Sequence, residues 1–446
     1  MNIALATVLI ITCSLAADDW IIETLDSEGV TGYWTSIRMD SEGQVHVVYR
    51  DDSANQLVHL FQDGAGWDSE VIITAECWFI NMVLDSSDSP HVVYWDHATS
   101  EISYVHWNDS TWVVSALETT VPSNYQYPRV DIELDSAGSP HVAWYDGSES
   151  RLRYGSWTGS SWDIITVDSI GVTGVDPSLA LDSIDNPHIS YGNNTDGTLN
   201  YAFNNGTDWE LQVVDNSGNV DGHTSIALDV NGNPHISYYF AWHPDDYVKY
   251  AWWNGSSWII EVANCTDWVF PGSPQGLALD TQGNAHISAE LSEFGNFLLY
   301  FHRDGAGWSG ELVDSDYTGW DNSICVDAVN SPHIAYFDVN NEDLLYAHKN
   351  ESGLFEEHTA SLQSFALCVT PSPANNAPSV FISVVEPALL ELAVFDLTGR
   401  AVLPPMQLDV IDSSHTVMLE GLMTGIYICR ITDGDIQLSE KFAVLE

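Results

Sequence analysis

The sequence predicts an all-β chain: a seven-bladed β-propeller followed by a small immunoglobulin-like β-sandwich. Three observations predict it. An Asp-x5-His core recurs seven times, with successive His residues 45, 50, 47, 47, 51 and 47 positions apart. An aromatic follows each His by 21 to 23 residues: Trp67, Trp112, Trp162, Trp209, Trp258, Trp308 and Phe355. No window offers helical periodicity as strong as the short, alternating apolar runs.

In chain order, residues 1–17 come first. They carry no charged side chain, Leu5 to Leu15 is mostly apolar, and Ser14-Leu15-Ala16 is a small-x-small cleavage site, so this segment reads as a secretory signal peptide. The repeats fill residues 18–367. Their pairs are Asp40/His46, Asp85/His91, Asp135/His141, Asp182/His188, Asp229/His235, Asp280/His286 and Asp327/His333. A third mark, apolar-x-Tyr, ends at Tyr104, Tyr154, Tyr201, Tyr250, Tyr300 and Tyr346, with His59 in its place in the first copy.

The fourth copy reads as four strands: Ser178–Asp182, Pro187–Tyr191, Leu199–Phe203 and Trp209–Val214, separated by Gly, Asn and Asp turn residues. Four antiparallel strands per unit is a propeller blade. Seven such units laid flat in one sheet would far exceed ordinary sheet sizes, and a closed ring removes the long edges. Two segments compete for the strand that closes the ring, Trp20–Leu25 and Phe355–Thr359.

Composition narrows the partners. Lys plus Arg is 11 against 64 Asp plus Glu, a formal charge of −53. Nucleic-acid affinity comes mainly from Lys and Arg on phosphates, so nucleic acid and anionic membranes are excluded. With 45% hydrophobic and 11% aromatic residues the chain has ample material for a core. No stretch after the signal reaches the roughly 18 apolar residues of a membrane helix. Cys13 leaves with the signal. The remaining Cys77, Cys265, Cys325, Cys368 and Cys429 are odd in number, widely spaced and without CxxC, and read as single buried thiols.

Residues 368–446 form a separate module. Thr370-Pro-Ser-Pro-Ala-Asn-Asn376 is a linker, and the apolar runs Val380–Val385, Leu390–Leu397, Thr416–Leu419, Gly425–Ile431 and Lys441–Leu445 make a small sandwich. Leu392-Ala-Val-Phe-Asp-Leu-Thr-Gly-Arg-Ala-Val402, Leu422-Met-Thr-Gly-Ile-Tyr-Ile-Cys-Arg430 and Lys441-Phe-Ala-Val-Leu445 resemble, in order, the motifs of the type IX secretion C-terminal sorting domain. That resemblance implies export by the type IX machinery to the medium or the bacterial outer-membrane surface. The repeats resemble a class of bacterial Asp-Pro-His propellers grouped with sialidase-like repeats, which implies a fold and not a chemistry.

The seven His residues form a ring around the axis, one strand out from the innermost, so they cannot converge on one ion at about 2.1 Å. Each imidazole is expected in a hydrogen bond inside its own blade. Each repeat Asp is expected to accept a backbone N–H two residues on and shape a turn. The first-position residue of a calcium loop is imitated at Asp229-Val-Asn-Gly-Asn233, but Phe240 stands where the bidentate Glu belongs. The turns Asp63-Gly-Ala-Gly-Trp67 and Asp304-Gly-Ala-Gly-Trp308 partly resemble the sialidase Asp-box, itself a turn device. A sialidase-like carboxylate clamp would need three convergent Arg, for which Arg38, Arg50 and Arg129 are the candidates, in no motif.

The repeat gives way on the face that carries the inter-blade links and the second-to-third-strand loops. There Trp34, Trp78, Tyr125, Tyr127, Trp242, Trp268 and Trp320 are the candidate ligand-binding residues, beside Asp and Asn. Rings pack on sugar C–H faces while carboxylates accept from hydroxyls; the competing reading has the rings filling gaps between blades. The expectation is a secreted, non-catalytic binding or adhesion protein for a glycan or a surface protein. The alternatives are a sialidase-like hydrolase or lyase, which needs a close carboxylate pair, and a structural surface component. No catalytic residue, cofactor or metal ligand is assigned; acidic links such as Asp314-Ser-Asp316 and Asp245-Asp246 could hold calcium weakly.

Overall fold

The computed structural model describes residues 20–349 apart from 65, 109, 122–126, 242–246, 264–273, 292–296, 306 and 316–317. It also describes residues 365–444 apart from 371–378, 385–387, 397–399, 411–413, 420–421, 423–424 and 433–436. The signal segment 1–17 and the candidate strand Phe355–Thr359 lie outside the described residues. Among the described residues all regular structure is strand, and the chain divides into two compact units, one holding residues 20–349 and the other 365–444.

In the first unit seven four-stranded antiparallel sheets follow one another in a propeller-like arrangement. The fourth is Thr173–Leu181, Pro187–Asn193, Thr198–Asn204 and Trp209–Asp215, hydrogen-bonded in chain order. Its second strand is buried along its whole length, whereas its outer strand is largely exposed. The seventh sheet takes its outer strand from the other end of the chain: Trp20–Asp26 pairs antiparallel with Asp343–Lys349. The N-terminal candidate therefore closes the seventh sheet. The inner strands Thr31–Met39, Cys77–Leu84, Val130–Leu134, Thr173–Leu181, Ser225–Leu228, Pro274–Leu279 and Thr318–Val326 pack each on the next and the last on the first.

Three side-chain devices join neighbouring sheets, and each repeats at the closing junction. The repeat Tyr of one sheet meets the outer-strand Trp of the next edge to face, at 5.1–5.6 Å between centroids, in Tyr104–Trp162, Tyr154–Trp209, Tyr201–Trp258, Tyr250–Trp308, Tyr300–Trp20 and Tyr346–Trp67. Such a pair adds about 0.5–1.5 kcal/mol beyond its buried area. In the first sheet His59 stands for Tyr, and Glu70 binds both its Nδ1 at 3.2 Å and Trp112 of the next sheet. Second-strand tyrosines donate to the Asp ending the preceding outer strand: Tyr49 to Asp26 (2.6 Å), Tyr191 to Asp168 (3.0 Å), Tyr238 to Asp215 (2.7 Å) and Tyr336 to Asp314 (2.8 Å).

The third device rings the axis. In five sheets the residue ten before the repeat His accepts the backbone N–H of the next inner strand: Ser323 from Ile37, Ser36 from Met82, Asp131 from Leu179, Ser178 from Ile226 and Ser225 from Leu277, whereas Asn81 of the second sheet accepts that of its own neighbour Met82. Gly276 takes this place in the sixth sheet, where a Cβ would lie 2.8 Å from Ile324 Cγ2.

The second unit has a three-stranded sheet, Phe365–Thr370, Ser379–Val384 and Ser414–Met418, and a four-stranded one, Ala401–Val410, Ala388–Asp396, Gly425–Thr432 and Gln437–Val444. Leu390, Leu392, Val394 and Cys429 are fully buried in it. Two of these strands go beyond the apolar runs read from sequence. Ala401–Val410 contains Pro404 and Pro405, which argue against a strand, but it is a sheet edge whose pairing steps over both prolines.

Candidate functional site at the mouth of the axial cavity

A cavity of about 500 Å³ lies on the axis of the first unit, lined by the inner strand of all seven sheets. The two ends of those strands are built differently. At the far end every sheet repeats one arrangement. The repeat Asp accepts backbone N–H groups two and four residues on, as Asp182 does from Ile184 and Asn186 at 2.9 Å, and so shapes the turn. Its other oxygen faces His Nε2 at 3.5–3.8 Å in six sheets, and His Nδ1 shares a hydrogen bond with the repeat Tyr hydroxyl in His91–Tyr104, His141–Tyr154, His188–Tyr201, His235–Tyr250, His286–Tyr300 and His333–Tyr346. Each imidazole is thus held inside its own sheet. The Asp229 carboxylate is occupied by Asn231 and Asn233 of its turn, which leaves it acting as a turn former. Asp314 receives Tyr336; Asp316 and Asp245-Asp246 lie outside the described residues.

At the near end the backbone repeats but the side chains do not. The residue twelve before each repeat His is Trp34, Phe79, Arg129, Asp176, His223, Pro274 and Asp321. Five of these, Trp34, Phe79, Asp176, His223 and Asp321, have φ between 45° and 54°. For non-glycine residues that is strained backbone, of order 1–3 kcal/mol each, which persists where the surroundings dictate it and which concentrates at functional positions. In four sheets the strain accompanies a bulge in the inner strand, at Tyr33/Ser36, Trp78/Asn81, Val175/Ser178 and Trp320/Ser323. A bulge re-aims side chains. Here Trp34, Phe79, Arg129, Asp176, His223 and Asp321 all line the cavity.

Rings gather over the first three sheets. Trp78 stacks on His97 (4.3 Å) and on Trp34 (4.8 Å), Trp34 contacts Tyr33 (5.6 Å), and Tyr33 stacks on Phe337 (4.2 Å). Phe79 and Trp78 lie 5.7 and 5.9 Å from Tyr127. Trp34 and Trp78 are half-buried between rings, whereas Tyr127 is 43% exposed. Trp320, 39% exposed, stands apart from this cluster beside Glu290 and Asp321. Of the seven rings expected to bind ligand, the structure brings Trp34, Trp78 and Tyr127 together and places Trp320 separately; Tyr125, Trp242 and Trp268 lie outside the described residues.

Charged groups complete the wall. Arg129 Nε donates to Asp176 at 2.9 Å and its guanidinium sits 5.1 Å over Phe79. Burial works to raise Asp176, but Arg129 and His223 hold it below the ordinary carboxylate range. Its other oxygen accepts the His223 N–H at 2.9 Å, as Asp321 accepts that of Trp34 at 3.2 Å, so both acids also tie two sheets together. Burial, helped by Arg129, pushes His223 down to about 4, and its Nδ1 has no partner. Deeper in the cavity, burial pushes Glu133 up to about 7 against the pull of Arg38. At the rim, burial and the Asp321 charge push Glu290 up to about 7. Arg38 and Arg129 both reach the cavity, whereas Arg50 pairs with Asp52 at 2.5 Å beside Trp34.

Sequence reasoning named Arg129 only as one member of an arginine clamp and passed over Asp131, Glu133, Asp176, His223, Glu290 and Asp321. Aligning the repeats on their His would have exposed most of them, because the twelfth position back varies between aromatic, acid and base while its surroundings recur. The Thr-Gly pairs two residues earlier are a second overlooked mark: Gly32 and Gly174 have φ of 101° and 84°, and a Cβ there would strike the backbone of Leu344 and Leu152 in the preceding sheet.

Residues 369–445 match the family model of the secretion system C-terminal sorting domain. The protein is therefore secreted or held at the bacterial outer-membrane surface, and the type IX machinery is its export partner. Among the described residues no helix is long and apolar enough to cross a membrane. No curated protein matches the chain. Among solved structures, the Aleuria aurantia lectin in complex with Fucα1-6GlcNAc is 15% identical, covering 64% of this chain and 96% of its own, with a TM-score of 0.46. A PL25 ulvan lyase is 11% identical over 73% and 96%, with a TM-score of 0.49. A protein of unknown function from Dyadobacter fermentans is 10% identical over 74% and 97%, with a TM-score of 0.45. At such distance no chemistry carries over, and the site's chemistry rests on this chain's own residues.

Proposed function

We propose that the first unit, residues 20–349, is a seven-bladed propeller of the sialidase-like repeat class that binds a glycan, without catalysis, at the mouth of its axial cavity. The second unit, an immunoglobulin-like sandwich that begins with the strand Phe365–Thr370, delivers it through the type IX machinery to the cell surface. The observation that supports a site is the set of five strained residues of four kinds, Trp34, Phe79, Asp176, His223 and Asp321, at one backbone position. A scaffold alone gives no reason to hold that strain while changing the side chain from blade to blade. The glycan assignment rests on rings with free surface, Tyr127 and Trp320, on either side of hydrogen-bonding acids and Arg129. The chain's charge of −53 disfavours polyanionic sugars, so a neutral glycan fits best.

Non-catalytic binding is favoured because Asp131, Asp176 and Asp321 each commit a carboxylate oxygen to a backbone N–H of the next sheet, which fixes them as hydrogen-bond acceptors rather than proton donors. One observation favours the second reading, a glycan-active enzyme: Glu133 and Glu290 hold their protons near neutrality, as a general acid would. A glycan array with the mature chain, followed by calorimetry and product analysis of each ligand bound, separates the two. Saturable binding with the sugar recovered intact supports binding; cleavage lost in Glu133→Gln or Glu290→Gln transfers the assignment to an enzyme; no binding to any glycan sinks both.

A further inference from the structure

The sixth sheet departs from the repeat at the far end of the strands, where the other sheets are most alike. Directly across from each repeat His, the third strand carries Phe61, His106, Ser156, Phe203, Trp252, His302 and His348 in turn. Three sheets therefore face one imidazole with another. Their geometries differ. His333 and His348 lie 6.0 Å apart between centroids, and His348 is turned away, with Nε2 toward Glu23 at 3.4 Å and Nδ1 against the Lys349 carbonyl. His91 and His106 lie 5.6 Å apart, with His106 stacked on Tyr104. His286 and His302 approach to 4.6 Å. There, one ligand atom each from Asp280, His286 and His302 lies within 4.8 Å of the others, and Asp280 Oδ2 is 3.7 Å from His286 Nε2.

We propose that Asp280, His286 and His302 bind one divalent transition-metal ion of the zinc class. Two imidazoles and one carboxylate are a borderline donor set suited to such an ion, and three protein ligands leave a position for water. The outer partners are already in place. His286 is 2% exposed, its Nε2 makes no hydrogen bond, and its Nδ1 is held by the Tyr300 hydroxyl at 2.7 Å, which leaves Nε2 to coordinate. Asp280 is fixed by the N–H groups of Gln282 and Asn284 and by the Asn284 amide, each at 2.8 Å. The nearby charges are Asp304 and Glu311, which favour a cation, and Lys349, which opposes one. The seven-fold His ring cannot share an ion across blades; this site needs only one blade.

The test is zinc titration of the chelator-stripped mature chain in physiological salt, read by calorimetry, with cobalt absorption reporting the coordination. His302→Ser carries the residue that the third sheet has at this place, so the fold tolerates it. The expected result is one tight equivalent in the parent and in His106→Ser, and at least a hundred-fold weaker binding in His302→Ser with unchanged thermal unfolding of the stripped proteins. No tight equivalent in the parent overturns the proposal. So does an equivalent that survives His302→Ser, or one that His106→Ser removes to the same extent.

Discussion

The two ends of the inner strands teach opposite lessons from the same repeat. At the turn end the chemistry is constant: Asp, His and Tyr return in five sheets with the same bonds, and each His is consumed locally. At the mouth five sheets share one left-handed backbone position while its chemistry changes, from Trp34 and Phe79 to Asp176, His223 and Asp321. Repeated chemistry holds a fold together. Repeated geometry with changing chemistry gives a fold something to recognise. On this view the sheet in which His302 closes on the repeat His and Asp is the one to probe there for a second function.

The largest expected effect tests the turn end as scaffold. Burial pushes His188 and His235 from 6.5 down to about 4. As pH falls the unfolded chain takes up these protons first, so the stability they contribute is complete above pH 6.5 and drains away toward pH 4. At about 1.4 kcal/mol per pH unit that is roughly 3 kcal/mol for each imidazole. Urea unfolding at pH 7 and pH 4.5 should show the loss. His188→Phe should flatten the slope by close to one proton while leaving ligand affinity at pH 7 unchanged. A flat profile in the parent would mean the imidazoles are not buried neutral, and the scaffold reading of this end would fail.

The next effect tests the mouth as a site. Tyr127→Ala and Trp320→Ala remove exposed rings, so each should weaken glycan binding about ten-fold or more, near 1.5–2 kcal/mol, with little change in melting temperature. Trp78→Ala removes a ring stacked between His97 and Trp34 and should cost stability as well. If Tyr127→Ala and Trp320→Ala both bind normally, the rings serve packing and the comparison loses its functional half.

How much of this was legible in the sequence follows from what repeats. The four-strand unit and the Asp, His, Tyr and Trp marks were readable because each mark meets its counterpart in the same or the next sheet, and selection for one contact recurs along the chain. Trp20 closing the last sheet was half legible: it matches the outer-strand Trp, but it took the pairing of Trp20–Asp26 with Asp343–Lys349 to show that this segment joins the seventh sheet. The edge strand Ala401–Val410 was hidden by Pro404 and Pro405, because edge position is a property of the assembled sheet. The mouth was hardly legible. Rings draw the eye, whereas Asp176 and His223 acquire meaning from a left-handed backbone and from Arg129 one sheet away.

A smaller effect concerns charge within the cavity. Glu133 titrates at about 7 because its carboxylate is buried with only Arg38 to offset it. Its folded value is raised, so the folded chain is favoured below the ordinary carboxylate range and loses that advantage as pH rises through 7. Glu133→Gln mimics the protonated form. It should raise stability at pH 8 by about 1–3 kcal/mol and do almost nothing near pH 4, below the ordinary value of 4.5, measured by urea unfolding at both. An equal change at both pH values would show that the carboxyl is solvated and the cavity wet to its floor.

The smallest effect asks where scaffold stops and site begins. Ser178 lines the same cavity as Asp176, two residues further in, yet its hydroxyl is spent on Asp131 at 2.9 Å and on the Ile226 N–H at 3.1 Å. Both bonds join inner strands of different sheets. Ser178→Ala should therefore cost about 1 kcal/mol of stability through the unpaired N–H, and nothing in affinity. Gly276 already shows that a blade survives without this contact, because there the two sheets close directly on Ile324. If Ser178→Ala instead weakens the ligand while stability holds, the glycan reaches past the strained ring, and the inner hydrogen-bonded ring belongs to the site. The boundary between constant and changing chemistry would then lie inside the cavity, two residues deeper than the strained positions place it.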